Sequence, residues 1–345
     1  MSETTFSSAA PRSESAGAVA GIWAWLMRHP PAFTLILIVA VSLVVGAINT
    51  DFWQVSNLFD ILRASVVRGL FALGVLVVLA SGGIDVSFTA IAAFVMYAVT
   101  MLVVNVVPDM PIVAILALGA VGGACFGALN GVLVHALKAP SLIVTIGTQY
   151  VIRSFLLTFV GTALFMNIPA AMDAFGKLAL FTHHSANGST STLPAFVLIL
   201  AVAAIVTWWI LERTLIGRAV YAVGGNAGVA ERLGYNLRTV RIFVFAYAGL
   251  LAGIAGIIHV SSNRLANPFD LAGAELEIIA AVVLGGARIT GGSGSVIGTL
   301  LGVVLITLVS NVLILVGIPS TWQLVIVGIF IILAGGIFSI RGRQS

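Results

Sequence analysis

From about residue 33 onward the chain alternates long apolar runs with short polar or glycine-rich segments. A hydrocarbon core ~30 Å thick takes roughly 20 apolar residues per helix, and fewer where a helix is short or broken. On that scale the sequence predicts ten spans, at about 33–48, 64–81, 86–103, 113–136, 141–161, 194–211, 240–260, 275–287, 296–313 and 321–338. Two stretches, 64–103 and 275–313, are nearly continuous and are divided only by glycine-rich turns. Residues 1–30 open Ser/Ala-rich and without aliphatic periodicity, which predicts a disordered cytoplasmic tail ahead of a polytopic domain over 31–340. The first apolar run leads into Asn49-Thr50-Asp51-Phe52-Trp53 with no small-residue cleavage site, so it reads as a retained span.

Composition agrees. Of 345 residues, 60% are hydrophobic and 8% charged, and the mean hydropathy is +1.16. A soluble domain carries roughly a quarter charged residues. The bilayer is therefore the solvent, and the fold class expected is an all-α integral membrane bundle. The net charge of +4 comes with no nucleic-acid motif, and its distribution sets topology instead. With the N-terminus inside, cytoplasmic segments hold Arg12, Arg28, Lys138, Arg213, Arg218, Arg232, Arg238, Arg241, Arg288, Arg341 and Arg343, eleven of the sixteen basic residues. Lys177 and Arg264 fall outside, Arg63 and Arg68 near the outer end of span two, and Arg153 inside span five. Both termini are thus expected in the cytoplasm, which requires an even number of spans. The single cysteine, Cys125, excludes an internal disulfide and reads as a small packing residue.

Two loops are large. The outer one, 162–193, is polar enough to be solvated; its His183-His184 pair lacks the further ligands a metal site needs. The inner one, 212–239, carries a short helix of its own. Asn226 suits the N-cap, Ala227 to Leu233 the helix, and Gly234 the left-handed position that ends it, while Gly224 and Gly225 permit a sharp turn before it. Gly225, Asn226, Ala230, Glu231, Arg232, Leu233 and Gly234 form a candidate docking element for a cytoplasmic partner. The plainer reading is a basic loop attracted to lipid headgroups.

Two breaks interrupt the apolar runs, Ser81 to Ser87 and Gly285 to Gly294. Non-helical backbone at membrane depth is tolerated only where protein buries it or a water-filled cavity lines it. Gly82, Gly83, Asp85, Ser87, Asn130, Gly285 and Gly286 are therefore candidates for a translocation path. Asp85 either caps a helix starting near Val86 or takes part in transport directly. The run from Gly286 to Ser293 approaches a phosphate-binding loop, but Gly292 stands where lysine is required. A serine-protease reading of Gly291-Gly292-Ser293-Gly294 fails because no histidine follows His259. The chain is expected to lack catalytic residues, metal ligands and bound cofactors.

Gly82-Gly83-Ile84-Asp85-Val86-Ser87, Gly127-Ala128-Leu129-Asn130-Gly131, the Gly217-Arg218 to Gly234 segment and Ala280 to Gly286 occur in that order. In this the chain resembles the ribose-type permease family, the membrane subunits of bacterial binding-protein-dependent ABC sugar importers. The resemblance covers about Asn57 to Gly336. It implies a ten-helix, vitamin-B12-importer-like (type II) fold in the inner membrane, pairing with a second permease copy, identical or similar. It also implies a cytoplasmic ABC ATPase that uses ATP and Mg, and a periplasmic or extracellular sugar-binding protein. Where the family often has Val-Gly after the serine of the first motif, this chain has Phe88-Thr89. An ion-coupled secondary transporter is the alternative, with Asp85 as its protonatable residue.

Overall fold

The computed structural model describes residues 29–184 and 190–315, together with the helical positions 322, 325, 328 and 329. The expected N-terminal tail lies almost wholly, and the tenth span largely, outside the described residues.

The helices follow the apolar pattern. They are α1 (Pro30–Ile48), α2 (Val55–Ala80), α3 (Phe88–Asn105), α4 (Ile112–Leu137), α5 (Ser141–Phe155, continued by a π-helical turn Leu156–Val160), α6 (Ala170–Lys177), α7 (Val197–Arg213), α8 (Leu215–Gly225), α9 (Ala227–Arg232), α10 (Leu237–Asn263), α11 (Glu275–Leu284) and α12 (Val296–Leu315). Among the described residues seven helices are long and apolar enough to cross a membrane. An eighth span results if α7 and α8, bent by 72° at Thr214, count together. The eighth span expected from sequence, 275–287, is the ten-residue α11, which is too short to cross alone.

Three expectations are corrected. The fold is not all-helical, because β1 (Ala179–His184) and β2 (Thr190–Pro194) pair antiparallel within the expected outer loop. His183 and His184 therefore sit in a strand, where Thr182 to His184 face Thr192 to Thr190. Cys125 does not pack inside this chain but is exposed on α4. Gly224 and Gly225 do not make a loop; they finish α8, whose capping residue is Thr214, accepting from the Gly217 N–H.

The core is built on α2, α3, α10 and α12, with α1, α4 and α5 at its margin. From Leu70 to Ala80 every side chain of α2 is buried. The closest helix pair is α4 against α10, antiparallel along glycines spaced by four. A Cβ on Gly123 would lie 2.0 Å from the Gly249 carbonyl, and one on Gly253 would lie 2.0 Å from that of Gly119. In lipid, where apolar contact alone gives no net drive, such close backbone approach is what holds helices together.

Candidate functional site

The two breaks, though some 200 residues apart in sequence, meet at one end of the bundle. Gly82 (φ +80°) and Gly291 (φ +90°) are both left-handed. A Cβ on Gly291 would be 2.6 Å from the Gly82 Cα and 2.7 Å from the Gly224 carbonyl. Gly292 donates its N–H to Ala80, which ends α2 (3.0 Å). Gly224, on α8, has no room for a side chain, since its Cβ would be 2.0 Å from the Ala80 carbonyl. Tyr221 adds a hydrogen bond from its hydroxyl to the Gly294 carbonyl (3.3 Å). Both breaks and the segment expected to dock a partner are thus in direct backbone contact.

Gly285 and Gly286 lie on a different flank. Gly285 packs on Gly298 of α12, and Gly286 (φ +99°) packs on Pro30 at the start of α1. Thr34 donates to the Leu284 carbonyl beside them (2.8 Å). The glycines among the candidate path residues therefore separate into two groups, apart from the polar ones.

Asp85, Ser87 and Asn130 form a third group, a buried hydrogen-bonded triad. Asp85 Oδ1 accepts from the Ser87 N–H (2.8 Å) and from the Ser87 hydroxyl (2.6 Å). Asn130 on α4 donates to Ser87 Oγ (2.7 Å). The helix begins at Phe88, two residues later than sequence suggested, so Asp85 fixes the turn before it rather than capping its first turn. Asp85 Oδ2 and Asn130 Oδ1 are buried without a donor among the described residues. Arg153 does not approach Asp85; it donates to the Phe269 carbonyl (3.0 Å).

That arginine belongs to a row of residues the motif reading passed over. Ser141, Thr145, Gln149 and Arg153 recur every four residues on α5, so one face of this helix is polar throughout. Each contacts a non-helical segment or the end of one. Ser141 Oγ accepts from the Ile84 N–H (2.8 Å), and Thr145 Oγ1 accepts from the Val86 N–H (3.4 Å). Gln149 donates to Glu275 Oε1 (2.8 Å), which Thr89 also contacts with its hydroxyl. The α5 face supplies polar partners to the first break and to the descending 264–274 loop together, satisfying backbone groups that lipid would leave unpaired. The four-residue period of polar side chains in an apolar run was the available signal. Glu275 was missed because it stood at the edge of an expected span. Glu277, its neighbour, pairs with Arg68 (3.0 Å).

The docking segment has the local structure expected. Asn226 Oδ1 accepts from the Val229 N–H (3.0 Å). Tyr235 donates to the Ala230 carbonyl (3.1 Å) and Gly234 to that of Glu231 (3.0 Å), the paired bonds of a Schellman ending with Gly234 at φ +89°. Ala230 is buried, whereas Glu231, Arg232 and Leu233 are exposed, Leu233 at 71%. Among the described residues no three His, Cys, Asp or Glu side chains gather as metal ligands.

A polytopic helical bundle with broken helices meeting at one end defines a membrane permease. The family described as the permease component of a branched-chain amino acid transport system matches residues 57–335, and the chain belongs to that family. It is 31% identical to the ribose import permease protein RbsC of Escherichia coli K12, over 90% of this chain and 93% of that one. The Bacillus subtilis protein of the same name is 35% identical over 85% of this chain and 87% of that one. The autoinducer 2 import system permease protein LsrC of Salmonella typhi is 31% identical over 92% and 87%. No solved structure matches. The protein is a multi-pass protein of the bacterial inner membrane.

Proposed function

We propose that this chain is the membrane-spanning subunit of an ATP-binding-cassette importer and carries a carbohydrate inward. The observation that carries this reading is the near end-to-end match to permeases named for ribose and autoinducer 2 import. The family description names branched-chain amino acids. The relatives aligned over most of their own length are the closer guide to substrate class.

In this reading the bundle has ten spans, the last over 321–338, and the vitamin-B12-importer-like arrangement. Both termini and the end bearing the two breaks face the cytoplasm. Two permease copies, identical or similar, enclose the path within the lipid. The ATPase docks on α9 and holds the ATP and Mg, and the binding protein sits over the β-hairpin end. Because α8 and both breaks touch through Gly224, a displacement of α9 reaches the breaks without an intervening flexible loop. The ATPase moves the permease only through contacts that differ between its nucleotide states.

The orientation is testable in a Cys125→Ser background. Lys177→Cys in intact cells reacts with a membrane-impermeant thiol reagent, and Thr239→Cys reacts only after the membrane is opened; both positions are exposed. The reverse pattern rejects the orientation. For substrate class, thermal stabilisation of the binding protein that serves this permease is measured across carbohydrates and branched-chain amino acids. Stabilisation by a sugar or polyol is the expected result, and stabilisation by an amino acid alone rejects the reading.

A further inference from the structure

We infer that Glu275, Gln149 and Thr89 form a site at the middle of the membrane that takes hydroxyl groups of the transported molecule. The inference rests on the importer reading above and assigns that function a specific place.

Depth is fixed by two routes. Glu275 lies nine residues before Leu284, which is bound to Thr34 near the start of α1. At 1.5 Å per residue this sets it ~14 Å along α11 from Leu284, and deeper from the start of α1, since Thr34 is already one turn into that helix. Gln149 lies eight residues beyond Ser141, or ~12 Å from the same end. Both values fall close to the midplane of a core ~30 Å thick. A carboxylate there is costly and is retained where it faces the interior or a polar cavity.

The geometry is that of a half-used acceptor. Glu275 is 8% exposed. Its Oε1 takes both protein donors, Thr89 and Gln149, while Oε2 takes none among the described residues. Oε1 alone joins α3, α5 and α11, which leaves Oε2 available to a further donor. Charge compensation is supplied one turn away, since Arg68 pairs with Glu277 and Arg153 with the Phe269 carbonyl. Neither arginine occupies the free oxygen. Tyr150, the next residue along α5, is 68% exposed. What fits Oε2 is an uncharged molecule rich in O–H donors. Three helices converge on the point: α3 begins there just after the first break, and α11 begins there and runs into the second. A movement of either break therefore alters the site.

Two measurements on liposomes holding the complete complex test this. First, Gln149→Cys in a Cys125→Ser background is labelled with 2-aminoethyl methanethiosulfonate, nucleotide-free and vanadate-trapped. The expected rates differ at least fivefold between the states; no labelling in either state, or equal rates in both, overturns the site. Second, uptake of D-ribose, D-xylose, erythritol and myo-inositol is compared with that of the monodeoxy analogues the wild-type complex also carries. Glu275→Gln keeps an acceptor for Thr89 and Gln149 but turns the free oxygen into a donor. It is expected to slow the parent sugar at least tenfold more than the analogue lacking the contacted hydroxyl. An equal loss on parent and every analogue, or no loss, assigns Glu275 to a structural staple. Where the wild type carries none of these sugars, the comparison is made on the sugar that stabilises the binding protein, and where it carries no analogue the cysteine labelling decides the site.

Discussion

Leu233→Asp and Gly234→Val are expected to abolish stimulation of the ATPase by the loaded binding protein, with the permease still inserted and folded. Leu233 is an apolar side chain left 71% exposed at the end of α9, in a segment whose other exposed side chains include Glu231 and Arg232. Against the ATPase it serves as the buried centre of a contact, and aspartate there carries an unpaired carboxylate into a water-excluded surface. Exposed ion pairs contribute ~0–1 kcal/mol, so Glu231 or Arg232 alone is expected to be dispensable. Gly234 acts differently. It makes no close contact, but at φ +89° a β-branched residue is strained and the Schellman ending of α9 is lost. The measurements are ATPase stimulation and uptake in liposomes, with co-purification of the ATPase as the check on docking. Stimulation and uptake at wild-type levels in both variants returns this segment to a basic surface loop.

The second large effect falls on Gly224. A valine there drives a side chain into the Ala80 carbonyl at 2.0 Å and the Gly292 nitrogen at 2.6 Å, both backbone atoms that cannot rotate away. Overpacking of this kind costs ~1–3 kcal/mol even where side chains can yield. Gly224→Val is therefore expected to lower the thermal midpoint of the purified complex and to remove transport. Gly83 is the contrast, although the two residues look alike in sequence. Its Cβ would meet a Val78 methyl at 3.2 Å and Ser141 Oγ at 3.4 Å, so Gly83→Ala is expected to assemble with little loss. Equal behaviour of the two variants refutes the backbone contact between α8 and the breaks.

Why one glycine matters more than its neighbour was not legible in the sequence. Glycine-rich breaks announce themselves, but the partner of each depends on packing between distant segments. Gly82 meets Gly224 and Gly291, while Gly286 meets Pro30. Local signals fared better. The Asn226 cap and the Gly234 ending involve residues within five of one another, and side-chain chemistry alone specifies them. The spans through 263 were legible because hydrophobic length is itself the physical requirement. That signal failed at α11, where an apolar run reads as a span although its helix is only ten residues long. The hairpin at 179–194 was hidden for the opposite reason, since a short strand pair between two apolar runs looks in sequence like any solvated loop. Glu275 was hidden because the meaning of a carboxylate at a span edge depends on whether the helix there begins at the surface or at mid-depth.

The central claim is that ATP hydrolysed by a partner drives carbohydrate inward through this chain. The most direct measurement reconstitutes it with its ATPase and binding protein and follows uptake of D-ribose and the other panel sugars into liposomes. Uptake that requires ATP and the binding protein, and is indifferent to proton or sodium gradients, is the predicted result. Uptake driven by an ion gradient with no ATP present contradicts the claim and makes the protein a secondary transporter.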